Sequence, residues 1–309
     1  MIVKVQNLMA DLSILFVVLF LLVIFIVFPR YSIVQEEWVN PHIKFKGPYS
    51  PGDPIIFSSN LSFEHIALNG IPFSQSPRKK ETVYVGGLEV SSKEIPHISG
   101  YFASESSWWP FSHPKLKYFV IPLPFAQLPS LPSVKLKIKK STWEKMDEKF
   151  DEQKKEERKL MRSLLKKVDG ALGSTCWQMP VSSMIVSKFA SPRTLPNGIS
   201  YRHTGLDLRA RTGAEILAAG PGQVIFRDHM IVPGNNILIN HGEGLFSRYL
   251  HLSKFEVSLQ DIVQPGEPIA KAGATGRVEA AHLHWEVVWK GRRLNPQKFT
   301  EDWNLYCQN

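Results

Sequence analysis

The first feature of the chain is an apolar run from Leu12 to Phe28 that carries no charge and has Ser13 as its one polar residue. Its 17 residues would form a helix of about 26 Å, barely enough to cross the hydrocarbon layer of a bilayer. A cleaved signal peptide is the competing reading, but its apolar region is usually shorter, and no small-x-small site follows in Phe28-Pro29-Arg30-Tyr31-Ser32. The run therefore predicts an uncleaved membrane helix over 12–28 behind a short tail, 1–11. Lys4, Asp11 and Arg30 flank it without setting its orientation. Residues 29–138 change to short β-type runs, such as Pro54 to Phe57, Thr82 to Val85 and Lys117 to Ile121, separated by dense Pro and Gly punctuation. A β-rich accessory domain is expected there.

Over 139–172 the period changes again. Ser141-Thr142-Trp143-Glu144 has the form of a capping box, and Trp143, Met146, Phe150, Leu160, Met161, Leu164 and Val168 recur at roughly helical spacing up to Gly170 and Gly173. Asp151 to Lys159 is almost wholly charged, so the spacing predicts a long linking helix that lies partly in solvent as a spacer. Gln153 and Glu157 interrupt any apolar seam for a coiled-coil partner. From 173 to 309 strand-like runs return at Glu215 to Ala218, Gln223 to Arg227, Asn236 to Asn240, Ser247 to Leu252, Ile269 to Lys271 and His282 to Trp289. Turns rich in Gly and Pro separate them, and long helices are absent, which fits a compact antiparallel β-sheet domain. The fold class is mainly β.

Charge and cysteine content narrow the function. The net charge is +9, but from Gly173 onward 14 Lys and Arg stand against 11 Asp and Glu, scattered and without a basic stripe interleaved with aromatics. Nucleic-acid binding is not expected, whereas an anionic envelope polymer or a lipid surface suits a mild positive balance. Cys176 and Cys307 are the only cysteines, too few for a cysteine-based metal site. They bracket the C-terminal segment, so in an oxidising compartment they could form a disulfide, with two unpaired thiols as the alternative.

The candidate chemistry lies in His203-Thr204-Gly205-Leu206-Asp207, in His282-Leu283-His284, and in His251 between them. Zinc accepts imidazole nitrogen and carboxylate oxygen, and a catalytic site takes three protein ligands and leaves a fourth position to water. Two histidines and an aspartate meet that requirement. Residues two apart on a strand share a face, so His282 and His284 can both serve one cleft, one on metal and one on protons. His65, His97 and His113 are isolated and read as loop or packing residues, and His42 and His229 have no partner at useful spacing.

Over roughly Ser187 to Phe299 the chain resembles the lysostaphin-type, or LytM-like, peptidoglycan endopeptidases. The matching stretches are His203 to Leu208, the turn from Ala218 to Val224, Tyr249 to Ser253, Gly273 to Gly276 and His282 to Glu286. The resemblance implies that His203, Asp207 and His284 bind one Zn²⁺ per chain, while His251 and His282 stay off the metal and assist catalysis. It implies a peptidoglycan substrate, and hence a single-pass protein of the cytoplasmic membrane with its catalytic domain on the extracytoplasmic, periplasmic side. Ala280-Ala281 stands where the family usually has Gly-Pro, and Ala190 replaces a usual Gly, departures that bear on the loops around the substrate groove and remove no ligand. Tyr249 is placed by alternation on the same strand face as His251, either to touch substrate or to pack, and His241 reads as structural. The other function to weigh is a non-catalytic LytM-like regulator that binds the wall and activates another hydrolase. Relatives of that kind have lost metal ligands, and this chain keeps all three. A secreted bacteriocin is a third reading, which the anchor argues against.

Overall fold

The computed structural model of the protein describes residues 37–41, 43, 45, 47–103, 116–136 and 150–307. The apolar run 12–28 and the capping-box sequence at Ser141 lie outside the described residues. Among those described, no helix is long and apolar enough to cross a membrane.

The N-terminal region is built of β1 (Glu37–Trp38), β2 (Pro54–Ser59), β3 (His65–Leu68), β4 (Ile71–Pro72), β5 (Ser74–Pro77), β6 (Thr82–Gly87), β7 (His97–Ala103), β8 (Leu116–Pro122) and β9 (Val134–Lys135). The first eight form a five-stranded sheet in the order β1-β8-β7-β3-β4 and a three-stranded sheet in the order β2-β6-β5, while β9 lies outside both. Phe57, Phe63, Phe73, Tyr84 and Phe119 fill the space between them, with Phe57 stacked on Tyr84 at 5.1 Å. The three strands expected here from local pattern, at 54, 82 and 117, are all present.

Helix α1 (Asp151–Leu164) follows, and then β10 (Ile185–Ser187), β11 (Pro192–Thr194), β12 (Ser200–Arg202), β13 (Leu206–Arg209), β14 (Glu215–Leu217), β15 (Gly222–Met230), β16 (Gly234–Asn240), β17 (Leu245–Phe255), β18 (Ile262–Val263), β19 (Pro268–Ala272), β20 (His282–Trp289), β21 (Arg292–Leu294) and helix α2 (Pro296–Trp303). The main sheet runs β10-β13-β20-β17-β16-β15-β18, with β14, β19 and β21 attached to it. Its neighbouring pairs are antiparallel.

The two faces of β20 follow from its period-two sequence. Leu283, Trp285, Val287 and Trp289 enter a core shared with Leu206, Leu208, Tyr249, Trp177, Phe299 and Trp303. Ile56, Val83 and Val85 of β2 and β6 belong to that same core, so the N-terminal strands and the C-terminal sheet bury apolar surface against each other. The opposite face presents His282, His284 and Glu286, and further along Val288, which packs with Leu238, Phe246 and Met230 beneath Met161 and Leu165.

Helix α1 corrects one expectation. It ends at Leu164, well short of Gly170, because Leu165 is the last apolar residue to reach the sheet and its N–H closes on Met161 O. Beyond it Asp169 accepts from Asn240 Nδ2 and Gly170 O accepts from Glu243 N, which draws the chain across to the β16–β17 turn and leaves Val168 exposed. As expected, α1 lies partly in solvent, with most of its side chains exposed. Its charged residues cover one side, but Met161 is 5% exposed and the helix lies on the sheet.

Cys176 and Cys307 form a disulfide, with Cα atoms 4.8 Å apart across 131 residues. Closing so long a loop restrains the unfolded chain by about 5 kcal/mol at most.

Candidate active site

Strands β13 and β20 pair in a register that sets Asp207 opposite His284, so the carboxylate and the imidazole share the face turned away from the core. His203 sits just before β13, and its ring comes to the same point. The three ligand atoms make a nearly equilateral triangle. His284 Nδ1 is 2.8 Å from Asp207 Oδ1, His203 Nε2 is 3.0 Å from Asp207 Oδ1, and His203 Nε2 is 3.0 Å from His284 Nδ1. All three residues are buried. Gly205 permits this approach, since a Cβ there would lie 2.5 Å from Trp285 O and 2.7 Å from His284 Nε2.

The outward nitrogens of both rings face acceptors. His203 Nδ1–H donates to Lys188 O at 3.0 Å, leaving Nε2 without a proton. His284 Nε2 faces Glu286 Oε1 at 3.4 Å, and its Nδ1 faces Asp207 Oδ1 at 2.8 Å. Two imidazole nitrogens and a carboxylate oxygen thus converge on one point, an arrangement suited to a shared positive charge, whether a proton or a metal cation. A tetrahedral zinc about 2.0 Å from each atom would space its ligands about 3.3 Å apart, so small adjustments suffice and the residues fit the metal. The field of the site agrees. Burial alone would lower the His284 imidazole, but hydrogen bonds to Asp207 and Glu286 override it and raise its affinity for a positive charge. Burial would likewise raise the Asp207 carboxyl, and the two histidines hold it far below the usual carboxylate range. His203, where burial dominates, is pushed down toward the neutral form.

A further ring of polar groups holds the ligands in place, as is usual around metals. Arg193 on β11 donates from Nη2 to Asp207 Oδ2 at 2.7 Å and to Ser187 Oγ at 2.7 Å, which turns Oδ1 toward the histidines. Glu286 accepts from Thr204 Oγ1 at 2.6 Å and from Arg293 Nε at 3.2 Å, while Arg248 Nη1 lies 3.9 Å from its other oxygen. Burial opposes ionisation of Glu286, yet Arg293, His284 and Arg248 keep it well below the usual range. The sequence reading singled out neither Arg193 nor Glu286 as a site residue. Glu286 could have been found, because it lies two residues beyond His284 on the same face of β20. Arg193 had no such signal.

His251 and His282 stand beside the triangle. Their ring centroids are 5.1 Å apart, and His251 is 6.1 Å from His284. His251 Nδ1–H donates to Thr275 O at 2.9 Å, so its Nε2 holds the lone pair. Burial first, then the neighbouring histidines, keep this ring neutral well below its ordinary pKa. His282 Nδ1–H donates to Ala280 O at 2.9 Å, and its Nε2 lies 3.6 Å from Asp207 Oδ1, farther than either nitrogen of the triangle. His251 also corrects an expectation. Its φ of 64° breaks the alternation of β17, so Tyr249 points into the core while His251 turns to the cleft. Tyr249 is fully buried, its hydroxyl accepting from Ala219 N at 2.8 Å, and has no part in the cleft.

His241 is structural as expected, with Nδ1–H on Pro221 O at 2.6 Å and Nε2 against Ser247 Oγ at 2.8 Å, and burial lowers its pKa to about 4. His229, exposed on β15, bonds Asn235 Oδ1.

The five residues open into a cavity of about 350 Å³ also lined by Tyr201, Arg277, Val232 and Pro233. One wall comes from the N-terminal region. β9 pairs in parallel with β11, Leu136 N donates to Thr194 O at 2.9 Å, and the Leu136 side chain lines the cavity. Nothing local in the sequence signals that pairing.

Residues 201–296 match the profile of Peptidase family M23. Peptidoglycan DD-endopeptidase ShyA of Vibrio cholerae is 38% identical over 96 residues, 31% of this chain and 22% of that protein. DD-carboxypeptidase/endopeptidase Mpg of Neisseria meningitidis is 33% identical over 120 residues, 38% of this chain and 28% of that protein. The chain thus spans about a quarter of the length of these relatives. In overall fold it is similar to a crystal structure of a Pseudomonas aeruginosa protein assigned to the M23 peptidases, with a TM-score of 0.56 and 22% identity over 81% of this chain and 94% of that one.

Proposed function

We propose that the protein is a zinc-dependent endopeptidase that hydrolyses peptide bonds in the stem peptides or crosslinks of peptidoglycan. The observation that carries the reading is the triangle of two imidazole nitrogens and one carboxylate oxygen at 2.8–3.0 Å, lining a cleft. His203, Asp207 and His284 would hold one zinc ion per chain, and zinc supplies a Lewis acid that polarises a carbonyl and acidifies water. The protein's own part is proton handling. His251, neutral and with Nε2 bare, takes the proton of the attacking water, as a general base positioned by Thr275 O. His282, partly exposed in the cleft, stabilises the developing oxyanion or protonates the leaving amine. The name of the relative ShyA, a peptidoglycan DD-endopeptidase, supports this substrate class.

The test is digestion of defined muropeptides by purified protein, with fragments identified by mass spectrometry. Hydrolysis should stop on chelation and return with zinc. Fully zinc-loaded protein that leaves every muropeptide intact would overturn the reading in favour of a wall-binding regulator.

Substrate and apolar run together set the proposed location. With 12–28 as a single membrane helix, the cleft stands on the extracytoplasmic side, where peptidoglycan lies. A helix held by apolar burial resists a treatment that mainly screens charge. The protein should therefore remain in the membrane fraction after high-salt washing, and release by salt alone would remove the anchor from the proposal.

A further inference from the structure

The charged helix α1 takes no part in the chemistry above, yet one of its carboxylates is more than a solvated charge. Both oxygens of Glu157 accept the backbone N–H of Ile231 at 3.1 Å, and Gln153 Nε2 donates to Oε1 at 3.0 Å. Met161 and Leu165 bury against Met230, Leu238, Phe246 and Val288, which seats the helix and fixes where Glu157 reaches. Ile231 is buried and lies just past the end of β15, where its N–H has left the strand ladder. A buried N–H needs an acceptor, and Glu157 supplies it.

Ile231 opens the turn that leads to β16, and the rest of that turn faces the cleft. Pro233 O accepts the backbone N–H of His251 at 3.0 Å, and Val232 O accepts that of Arg277 at 2.9 Å. Asn235 N donates to Thr275 Oγ1 at 2.9 Å, and Gly234, at φ 66°, sits so close to Thr275 that no Cβ would fit. Thr275 O in turn takes the Nδ1–H of His251. His251 is thus gripped twice, at its main chain by the 231–234 turn and at its ring by Thr275. The grip is needed, because a φ of 64° is costly for a residue with a side chain.

We propose that Glu157 is a positioning residue for His251: by holding Ile231 N it fixes the turn whose Pro233 carbonyl keeps His251 in its left-handed conformation. The seating of α1, the element that follows the N-terminal β region, then sets the geometry of the proton-handling side of the cleft. The kinetic consequence rests on the endopeptidase reading, whereas the structural one does not.

The test compares full-length wild type, Glu157→Ala and Glu157→Gln for zinc content, kcat, KM and amide hydrogen exchange. Glu157→Ala should keep its zinc and lose about tenfold in kcat, the effect of one charge-assisted hydrogen bond. KM should stay nearly unchanged, and exchange should quicken at Ile231 and His251. Glu157→Gln still offers an oxygen to the N–H, so it should recover most of both kcat and protection. Unchanged exchange at His251 in Glu157→Ala overturns the proposal, and so does a Glu157→Gln protein no better than the alanine variant. Should zinc-loaded wild type prove inactive, the endopeptidase reading falls and the exchange comparison alone decides the role of Glu157.

Discussion

Alanine at His203, Asp207 or His284 is expected to remove zinc and turnover together. Each contributes one of three atoms within 3.0 Å of one another, and two protein ligands do not hold a catalytic zinc. Activity should fall by more than the roughly 10- to 100-fold that loss of an outer partner costs. His282→Ala is the informative contrast. Its Nε2 is 3.6 Å from Asp207 Oδ1, against 2.8 Å for His284 Nδ1, and its ring is partly exposed. Zinc should stay near one per chain in that variant while hydrolysis drops. Elemental analysis and muropeptide digestion across the four proteins decide the matter. Zinc lost from His282→Ala and kept by His284→Ala would reverse the assignment of the two.

The resemblance named the candidate ligand set, and what the sequence itself shows of its geometry is the alternation around each strand ligand. Leu206-Asp207-Leu208 and Leu283-His284-Trp285 each alternate an inward apolar residue with an outward ligand, and antiparallel pairing brings Asp207 opposite His284. The strands at 215, 223, 236, 247, 269 and 282 were legible for the same reason, each being a period-two run between turn residues. What could not be read depends on distant contacts. Arg193 reaches Asp207 from β11, 14 residues upstream, and Leu136 enters the cavity through a parallel pairing whose partner is nearly 60 residues away. The end of α1 is set by where the sheet beneath it stops, so the helical period persisting to Val168 overstates its length. Glu157 looked like one more solvated charge because its partner is a backbone amide 74 residues on.

His251 shows where a sound rule gives the wrong face. Alternation along β17 groups it with Tyr249, which is in the core, and one residue at positive φ carries it to the other side of the sheet. Strain of this kind, of order 1–3 kcal/mol, persists only where the surroundings enforce it and tends to cluster at functional sites. The expected result of His251→Ala therefore separates proton transfer from metal binding. The three ligand atoms are untouched, so zinc should remain near one per chain. Turnover should fall by roughly 10²–10⁴-fold, the usual worth of a positioned acid or base. His251→Gly is a useful companion, because glycine adopts positive φ without cost and leaves the turn undisturbed. If both variants keep zinc and lose turnover equally, the missing imidazole is the cause. Should His251→Gly retain near-native turnover, the ring is not the base, and the residue would matter to the cleft only through its backbone.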